Sequence, residues 1–131
     1  MLGEGTANLN RIRHAAGLID ESQHGSPWGD GDNYKWIEAM AHVYGITRDP
    51  ELDRLMDQWI AVIAQAQGAD GYISVNMIGK ERWRNARDHE TYNMGHLMTA
   101  AVMHYRATGK THFLDIAKRV GDYLHTTFVA T

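Results

Sequence analysis

Apolar residues recur at spacings of three and four along nearly the whole 131-residue chain. This spacing is typical of amphipathic helices, which carry their apolar side chains on one face. The clearest helix start is Asp49-Pro50-Glu51, where a capping side chain precedes a proline in the first turn. The pattern predicts an all-α chain with helices over residues 6–20, 33–45, 50–67, 88–108 and 111–128.

Capping residues and glycines mark the ends of the predicted helices. The predicted N-terminal caps of the second and fifth helices are Asp32 and Thr111. Asp88 would cap the fourth helix if its polar start is a satisfied hydrogen-bond network. Gly45 and Gly109 are predicted to end the second and fourth helices, because glycine readily adopts the left-handed conformation that closes a helix. Between the third and fourth helices the stretch GADGYISVNMIG breaks the pattern, and residues 72–77 are predicted to be a short extended piece.

Two of the predicted helical hairpins resemble each other. A shift of 61 residues aligns Ala39 with Ala100 and Tyr44 with Tyr105, so that each hairpin has a helix ending in tyrosine, a short turn and a capped helix. Repeated helical hairpins form solenoids and toroids, in which each unit buries its face against its neighbours. Two amphipathic hairpins can also align this well by chance, but the coincidence of the turn and the tyrosine favours a repeat.

Composition excludes several classes of partner and site. The formal net charge is −3 with no basic stripe, which argues against nucleic acid as a partner. No apolar run reaches the length of a membrane span, and the first ten residues lack the features of a signal peptide, so the compartment stays open. Cysteine is absent, which excludes disulfides, thiolate metal ligands and a cysteine nucleophile within these residues.

The richest polar stretch is RDHETYNMGH, at the start of the fourth predicted helix. His89, Tyr92, Asn93 and His96 stand at positions i, i+3, i+4 and i+7, so they are predicted to share one helix face. Imidazole and phenol groups at a helix end suit sugar hydroxyls, which need donors and acceptors at fixed positions. A satisfied hydrogen-bond network at the helix start is the alternative. A zinc-protease His-Glu-x-x-His motif is excluded, because Asn93 stands where its second histidine belongs.

A second polar stretch, WGDGDNYKWIEAM, crowds the start of the second predicted helix. Asp32 is explained as a cap, and Lys35 as a surface ion-pair partner of Glu38 or Asp32. Trp36 is expected in the core rather than as a platform for a sugar ring, because large aromatic residues on a helix stripe are usually buried. Trp83 lies in an arginine-rich loop just before the histidine-bearing helix, where it is either a binding group or part of a solvated loop. The repeat aligns Asp32 with Asn93, so both polar helix starts are predicted to face the same rim of a helical toroid.

Three stretches resemble one enzyme family. GDGDNYKWIEA, AQGADGYIS and RWRNARDHETYNMGHLMTAAVMHYRATGKTHFLDIAKRVGDYL are similar, in order and spacing, to the early part of the catalytic domain of glycoside hydrolase family 127, the β-L-arabinofuranosidases and their relatives. The most specific block is HETYNMGHL, where the family shows His-Glu-hydrophobic-Tyr-x-x-Gly-His and Thr91 departs. In GDGDNYKW, Gly31 and Asn33 depart from the family's Asp-Ser-Asp-Val-Tyr-Lys-Trp.

The resemblance implies an (α/α)₆ barrel of six helical hairpins with a sugar pocket at one mouth. It implies a sugar contact for His89, and we expect Tyr92, His96, Asp32 and Trp83 to join it as substrate-binding residues. In the family a zinc-bound cysteine is the nucleophile and a glutamate is the acid/base, both far downstream, so no catalytic residue, metal ligand or cofactor site is assigned in residues 1–131. Glu90 lies one residue off the histidine face and is expected to make a structural hydrogen bond.

Three hypotheses follow from these observations. The first is one domain that forms part of a longer barrel, lines the sugar pocket of an arabinofuranosidase-like glycosidase and is inactive alone. The second is a carbohydrate-binding or scaffold protein without catalysis, and the third is another α/α toroid family such as the unsaturated uronyl hydrolases. The apolar stripes over residues 9–19 and 113–128 are expected to be exposed as the ends of the helical array, which predicts self-association or packing on the remainder of a parent chain.

Overall fold

The computed structural model describes residues 29–74, 77 and 81–130. These residues form α1 (Gly29–Thr47), α2 (Pro50–Ala66), α3 (Glu90–Thr108) and α4 (His112–Phe128), with a short 3₁₀ helix (Ala86–Asp88) before α3. They contain no β-strand, and the described part of the 72–77 stretch is irregular rather than paired. The all-α prediction is confirmed; the first predicted helix, residues 6–20, lies outside the described residues.

The first and third helices run in the same direction, side by side. α1 packs most extensively on α3. At one end the Gly31 amide lies 3.0 Å from Asn93 Oδ1, and at the other the Arg48 guanidinium lies 2.9 Å from the Ala107 carbonyl oxygen. Starts therefore meet starts and ends meet ends, which is the arrangement that the predicted repeat requires.

The second and fourth helices contact each other in the same order along the chain, but the end of α2 meets the first half of α4 rather than its end. The Lys110 ammonium, just before α4, lies 2.9 Å from Asp53 Oδ1 in the first turn of α2. Gln67, which closes α2, donates from Nε2 to the Ile116 carbonyl at 3.1 Å. The two hairpins α1–α2 and α3–α4 thus stand next to each other in one orientation, as neighbouring units of a helical toroid do.

The core lies where the four helices meet. Its large, fully buried apolar side chains are at most 1% exposed and recur at spacings of three, four or seven along the helices: Tyr34, Ile37, Met56, Ile60, Ile63, Met94, Leu97, Phe113 and Val120. Burial of each such side chain stabilises the fold by roughly 1.5–3 kcal/mol. None of the helices in the described part is both long and apolar enough to cross a membrane.

The apolar stripe of α4 is largely covered. Phe113, Ile116 and Val120 are buried, because α3 and α2 pack against them, whereas Phe128 at the end of the helix is 53% exposed. The expectation that this stripe is exposed is wrong for its first turns. The other stripe, residues 9–19, lies outside the described residues, and self-association stays a prediction. Trp36, expected in the core, is 44% exposed.

Of the helix starts predicted for α1 and α2, the structure has the one for α2 and moves the one for α1. Asp49 caps α2 as predicted, since its Oδ1 accepts the Glu51 amide at 2.9 Å. α1 starts earlier than predicted, at Gly29, which places Asp32 inside the first turn rather than at the cap. A helix N-terminus still favours its negative charge there.

The remaining boundaries depend on single backbone conformations. α1 continues past Gly45 and ends where Arg48 adopts a left-handed φ of 56°. α3 is preceded by His89 rather than capped by Asp88, and Thr111 occupies the N-cap of α4 without a side-chain capping bond. Gly109, with φ of 75°, ends α3 as predicted.

A glycine and an arginine hold the loop after α2 against α4. Gly71 has a φ of 97°, and a Cβ there would overlap the carbonyl oxygen of Arg119. The Arg119 guanidinium donates to Gln67 Oε1 at 3.0 Å and to the Gly68 carbonyl at 2.9 Å. This anchored loop leads the chain back toward the start of α3.

Candidate functional site

Five polar side chains gather where α1 and α3 begin; we call Asp32, Lys35, His89, Tyr92 and His96 the polar cluster. The Lys35 ammonium donates to the Tyr92 hydroxyl at 2.8 Å and lies 3.6 Å from Asp32 Oδ1. Each member is partly exposed, so its polar atoms are within reach of a ligand. The parallel packing of the two helices brings the cluster together.

Three rings of the cluster follow one another along the start of α3. The centroids of His89 and Tyr92 are 5.4 Å apart and those of Tyr92 and His96 are 4.6 Å apart, both with rings edge to face. This geometry follows from the helical spacing, which places residues three and four apart on one face. Asn93 belongs to the same stretch but is buried, turned toward Gly31 of α1 rather than toward solvent.

His89 has an unusual backbone. Its φ of 57° lies in the left-handed region, which costs a residue other than glycine on the order of 1 kcal/mol. Its Nδ1 lies 2.6 Å from the Arg87 carbonyl oxygen. A carbonyl only accepts, so the proton of the neutral ring lies on Nδ1 and Nε2 is the acceptor nitrogen. The strained turn therefore sets both the direction and the tautomer of the imidazole.

Glycine at position 31 lets α1 approach the rings of Tyr92 and His96. A Cβ on Gly31 would lie 2.9 Å from Asn93 Oδ1, 3.3 Å from Tyr92 Cε1 and 3.6 Å from His96 Cδ2. The first distance is too short for an undisturbed contact, so a side chain here must displace the Asn93 amide. The backbone of α1 thus forms one wall beside Tyr92.

The cluster holds a cation against a phenol. The hydrogen bond to the Tyr92 hydroxyl, and secondarily the charge of Asp32, raise the pKa of the Lys35 ammonium. Lys35 is therefore charged near neutral pH, and because it fills an acceptor position of the Tyr92 oxygen, the phenolic O–H points elsewhere as a donor. The sequence predicts only acidic partners for Lys35. The repeat could have indicated the contact between Lys35 and Tyr92, because a shift of 61 residues places Lys35 level with His96, one turn from Tyr92.

Trp83 lies apart from the polar cluster. Its indole N–H donates to the Tyr123 hydroxyl at 3.1 Å, and its ring centroid is 4.9 Å from that of Phe128 and 5.9 Å from that of Tyr72. Among the described residues a pocket of about 270 Å³ adjoins it, lined by Trp83, Asn85, Ala86, Glu90, Thr91 and Phe128. The structure thus joins four of the five expected substrate-binding residues and places the fifth beside a separate pocket.

Glu90 connects this aromatic group to the start of α3. It is buried, with Oε1 accepting from the Tyr72 hydroxyl and Oε2 accepting from the Trp83 amide at 2.8 Å. Burial and, secondarily, the hydrogen bond to Glu90 raise the pKa of the Tyr72 hydroxyl. Both oxygens of Glu90 accept hydrogen bonds from within the fold, which is the structural role expected of this residue.

A zinc-bound cysteine nucleophile does not fit these residues. The chain has no cysteine, and the polar cluster combines a lysine, an acid, a phenol and two imidazoles rather than thiolate ligands. No step is therefore assigned to such a group in residues 1–131.

Comparison with known proteins shows which family the chain belongs to. The family model for the β-L-arabinofuranosidase GH127 catalytic domain matches residues 3–131. The chain belongs to the GH127 family. This excludes the uronyl hydrolase alternative.

Relatives of this GH127 chain agree in sequence and structure. A non-reducing end β-L-arabinofuranosidase from Bifidobacterium longum subsp. longum is 36% identical over 125 residues, which cover 89% of this chain and 19% of the relative. The crystal structure of a GH127 β-L-arabinofuranosidase from Geobacillus stearothermophilus T6 matches with a TM-score of 0.89 and 41% identity, covering 92% of this chain and 20% of that one.

A second GH127 β-arabinofuranosidase structure matches with a TM-score of 0.85 and 34% identity, covering 94% of this chain and 22% of that chain. The chain thus spans about a fifth of the length of these relatives. The hairpins α1–α2 and α3–α4 correspond to part of a helical barrel.

Proposed function

We propose that this chain forms one wall of the sugar pocket of a GH127 glycosidase that acts on L-arabinofuranosides. The observation that carries the proposal is the joining of two polar helix starts, α1 and α3, into one partly exposed cluster. The named activities of the relatives supply the substrate class, and the cluster supplies groups suited to it. Donors and acceptors stand beside ring edges, as a furanoside with several hydroxyls requires.

Each member of the cluster has a role in this proposal. His89 accepts a hydrogen bond from a sugar hydroxyl through Nε2, and Tyr92 donates its phenolic proton to a sugar oxygen. His96 packs against Tyr92 and extends the polar face along α3. Lys35 and Asp32 orient the Tyr92 hydroxyl from the neighbouring helix. Trp83 forms a second apolar surface at the adjoining pocket, for a more distant part of a larger substrate.

These roles are binding roles, and we propose no catalytic residue in this chain. A retaining glycosidase needs a nucleophile and an acid/base about 5 Å apart. Glu90, the carboxylate nearest to the histidines in sequence, uses both oxygens within the fold. We therefore expect the 131-residue chain to hydrolyse no aryl β-L-arabinofuranoside, with or without added zinc. Turnover that is lost on Glu90→Gln would contradict this.

The alternative is a carbohydrate-binding protein without catalysis. It is favoured by the lack of cysteine and by the engagement of Glu90. The two functions share the polar cluster and differ only in chemistry. Hydrolysis measurements therefore separate them, while binding measurements test the cluster that both require.

A pair of matched tyrosine variants tests the proposed wall. Tyr92 and Tyr105 both lie on α3, 41% and 44% exposed, but only Tyr92 belongs to the polar cluster. Titration of the chain with methyl β-L-arabinofuranoside, followed by NMR of the histidine rings, should show saturable binding that Tyr92→Phe weakens about fivefold, the equivalent of one hydrogen bond. Tyr105→Phe should bind as the parent does. Equal affinity in both variants, or no saturable binding, would overturn the assignment.

A further inference from the structure

A second group of polar side chains lies at the other end of the hairpins. Among the described residues, one ligand atom each of Asp57, His104 and His112 lie within 4.8 Å of one another. The three come from different helices, α2, α3 and α4. His104 is 15 positions after His89, which at 1.5 Å per residue places this group roughly 22 Å along α3 from the candidate sugar site.

His104 has an unexplained environment. It is 0% exposed, and neither ring nitrogen has a hydrogen-bond partner in the described part of the chain. A buried polar group without a partner costs roughly 1–3 kcal/mol, so such groups need an explanation in a folded protein. The aromatic neighbours of the ring, Phe113 and His112, meet it edge to face and offer its nitrogens at most a weak N–H···π contact.

The atoms next to His104 are also incompletely satisfied. His112 Nε2 lies 3.1 Å from Asp57 Oδ1, yet that buried oxygen accepts no hydrogen bond of acceptable geometry from the described residues. Two ligands held 2.0–2.2 Å from a tetrahedral zinc ion are about 3.3–3.6 Å apart, so this spacing is slightly shorter than one edge of a metal site and the pair would open by a few tenths of an ångström. The ligand atoms of all three residues lie within 4.8 Å of one another, so an ion between them would have to draw the His104 nitrogen closer to the other two.

We propose that Asp57, His104 and His112 bind a divalent transition-metal ion of the zinc type. Two imidazole nitrogens and one carboxylate oxygen are ligands that suit Zn²⁺, whereas Mg²⁺ and Ca²⁺ require oxygen ligands. Asp57 and His112 are partly exposed and give the ion a route from solvent. The ion crosslinks α2, α3 and α4 and so holds the two hairpins in register.

Lys110 limits how the ion binds. Its ammonium lies 2.7 Å from Asp57 Oδ2 and 2.9 Å from Asp53 Oδ1. The metal therefore takes Asp57 through Oδ1 alone, while Lys110 keeps the other oxygen and orients the carboxylate. Outer hydrogen bonds of this kind are common around protein zinc ligands. Burial lowers the pKa of His104 to about 4, so the ring is neutral and has a lone pair to offer.

Metal titration of the tag-free chain tests the proposal. Equilibrium dialysis with Zn²⁺ should show a bound equivalent that His112→Gln and Asp57→Asn each weaken at least about tenfold. His125→Gln is the matched control, because His125 is an exposed histidine on the same helix outside the group, and it should leave affinity unchanged. Co²⁺ should give the visible absorption of a four-coordinate site in the parent and in His125→Gln only.

Thermal unfolding supplies a second readout. Zn²⁺ should raise the Tm of the parent and of His125→Gln, since a ligand that binds only the folded state stabilises it. It should not raise the Tm of His112→Gln, and Mg²⁺ should raise none of them. Zinc affinity that is the same in His112→Gln and in the parent, or saturation by Mg²⁺ with similar affinity, would overturn the site. Both replaced side chains are partly exposed, so the result does not depend on a core variant that fails to fold.

Discussion

The backbone amide of Gly31 donates a buried hydrogen bond, 3.0 Å long, to the side-chain carbonyl of Asn93, 62 residues away. This bond joins the first turns of two parallel helices and so holds the two halves of the polar cluster together. It also explains why a buried asparagine follows the exposed Tyr92 at the start of α3. The asparagine side chain contacts the neighbouring helix, whereas the tyrosine side chain faces solvent.

Replacing Asn93 tests this coupling. Asn93→Ala leaves the Gly31 amide buried without its partner, which should lower the free energy of unfolding by about 1–3 kcal/mol in urea titrations. Asn85→Ala is the control, because Asn85 also accepts a backbone amide, that of Arg87 at 3.0 Å, but at an exposed position. Its loss should be about 1 kcal/mol or less. A cost no greater for Asn93 than for Asn85 would show that the cross-helix bond is dispensable.

Asn33 offers a gain in stability. Its side chain is 0% exposed, and neither its amide nitrogen nor its oxygen has a hydrogen-bond partner in the described residues. Valine, which the family pattern carries at this position, removes both unsatisfied atoms. Asn33→Val should raise the free energy of unfolding by about 1–2 kcal/mol, whereas Asn33→Asp buries a charge and should lower it. A valine variant less stable than the parent would mean that the amide is satisfied in solution.

The sequence predicted helices and their order because both are local properties. Spacings of three and four were sufficient for α1 to α4, and the polar rim followed from the repeat that aligns Asp32 with Asn93. What the sequence does not show depends on contacts between distant segments and on single backbone conformations. Trp83 is held beside its own pocket by hydrogen bonds with Tyr123 and Glu90. The start of α3 lies two residues later than predicted, because His89 adopts a left-handed turn.

The metal-ligand group shows the same limit more clearly. Asp57, His104 and His112 form no recognisable spacing motif, and only the side-by-side packing of α2, α3 and α4 brings them together. In the sequence nothing distinguishes His104 from the other residues of its helix. That neither of its ring nitrogens has a partner among the residues with described positions is apparent only from its neighbours in space.

His104 should also make stability depend on pH. Burial is the main cause that lowers its pKa from 6.5 to about 4; His112 and Lys110 add to the shift, while Asp57 and Asp53 oppose it. The unfolded chain therefore binds more protons than the folded chain between these values, so stability is complete above pH 6.5 and falls as the pH drops toward 4.

Urea unfolding in EDTA measures this effect without bound metal. The His104 contribution should lower the free energy of unfolding by about 2 kcal/mol between pH 7 and pH 5. His104→Leu has no group to titrate at this position, so the fall over the same range should be smaller by that amount. Parallel pH profiles for the parent and the leucine variant would contradict a buried neutral imidazole.

The last prediction separates strain from binding at His89. The left-handed φ of 57° is costly for histidine and natural for glycine. His89→Gly removes that strain but also the Nδ1 bond to the Arg87 carbonyl, and glycine loses more entropy on folding, so the free energy of unfolding should change by less than about 1 kcal/mol. His96→Gly makes the same replacement inside α3, where helix propensity alone costs about 1 kcal/mol.

Both glycine variants should lose affinity for methyl β-L-arabinofuranoside, but for His89 the loss should come without a matching loss of stability. We expect a fall of about fivefold or more for His89→Gly in the same NMR titration, because the acceptor Nε2 is gone. Full affinity in His89→Gly would remove His89 from the sugar-binding wall and leave its strained turn as a property of the fold. A variant that is destabilised well beyond His96→Gly would instead show that the imidazole holds the turn in place.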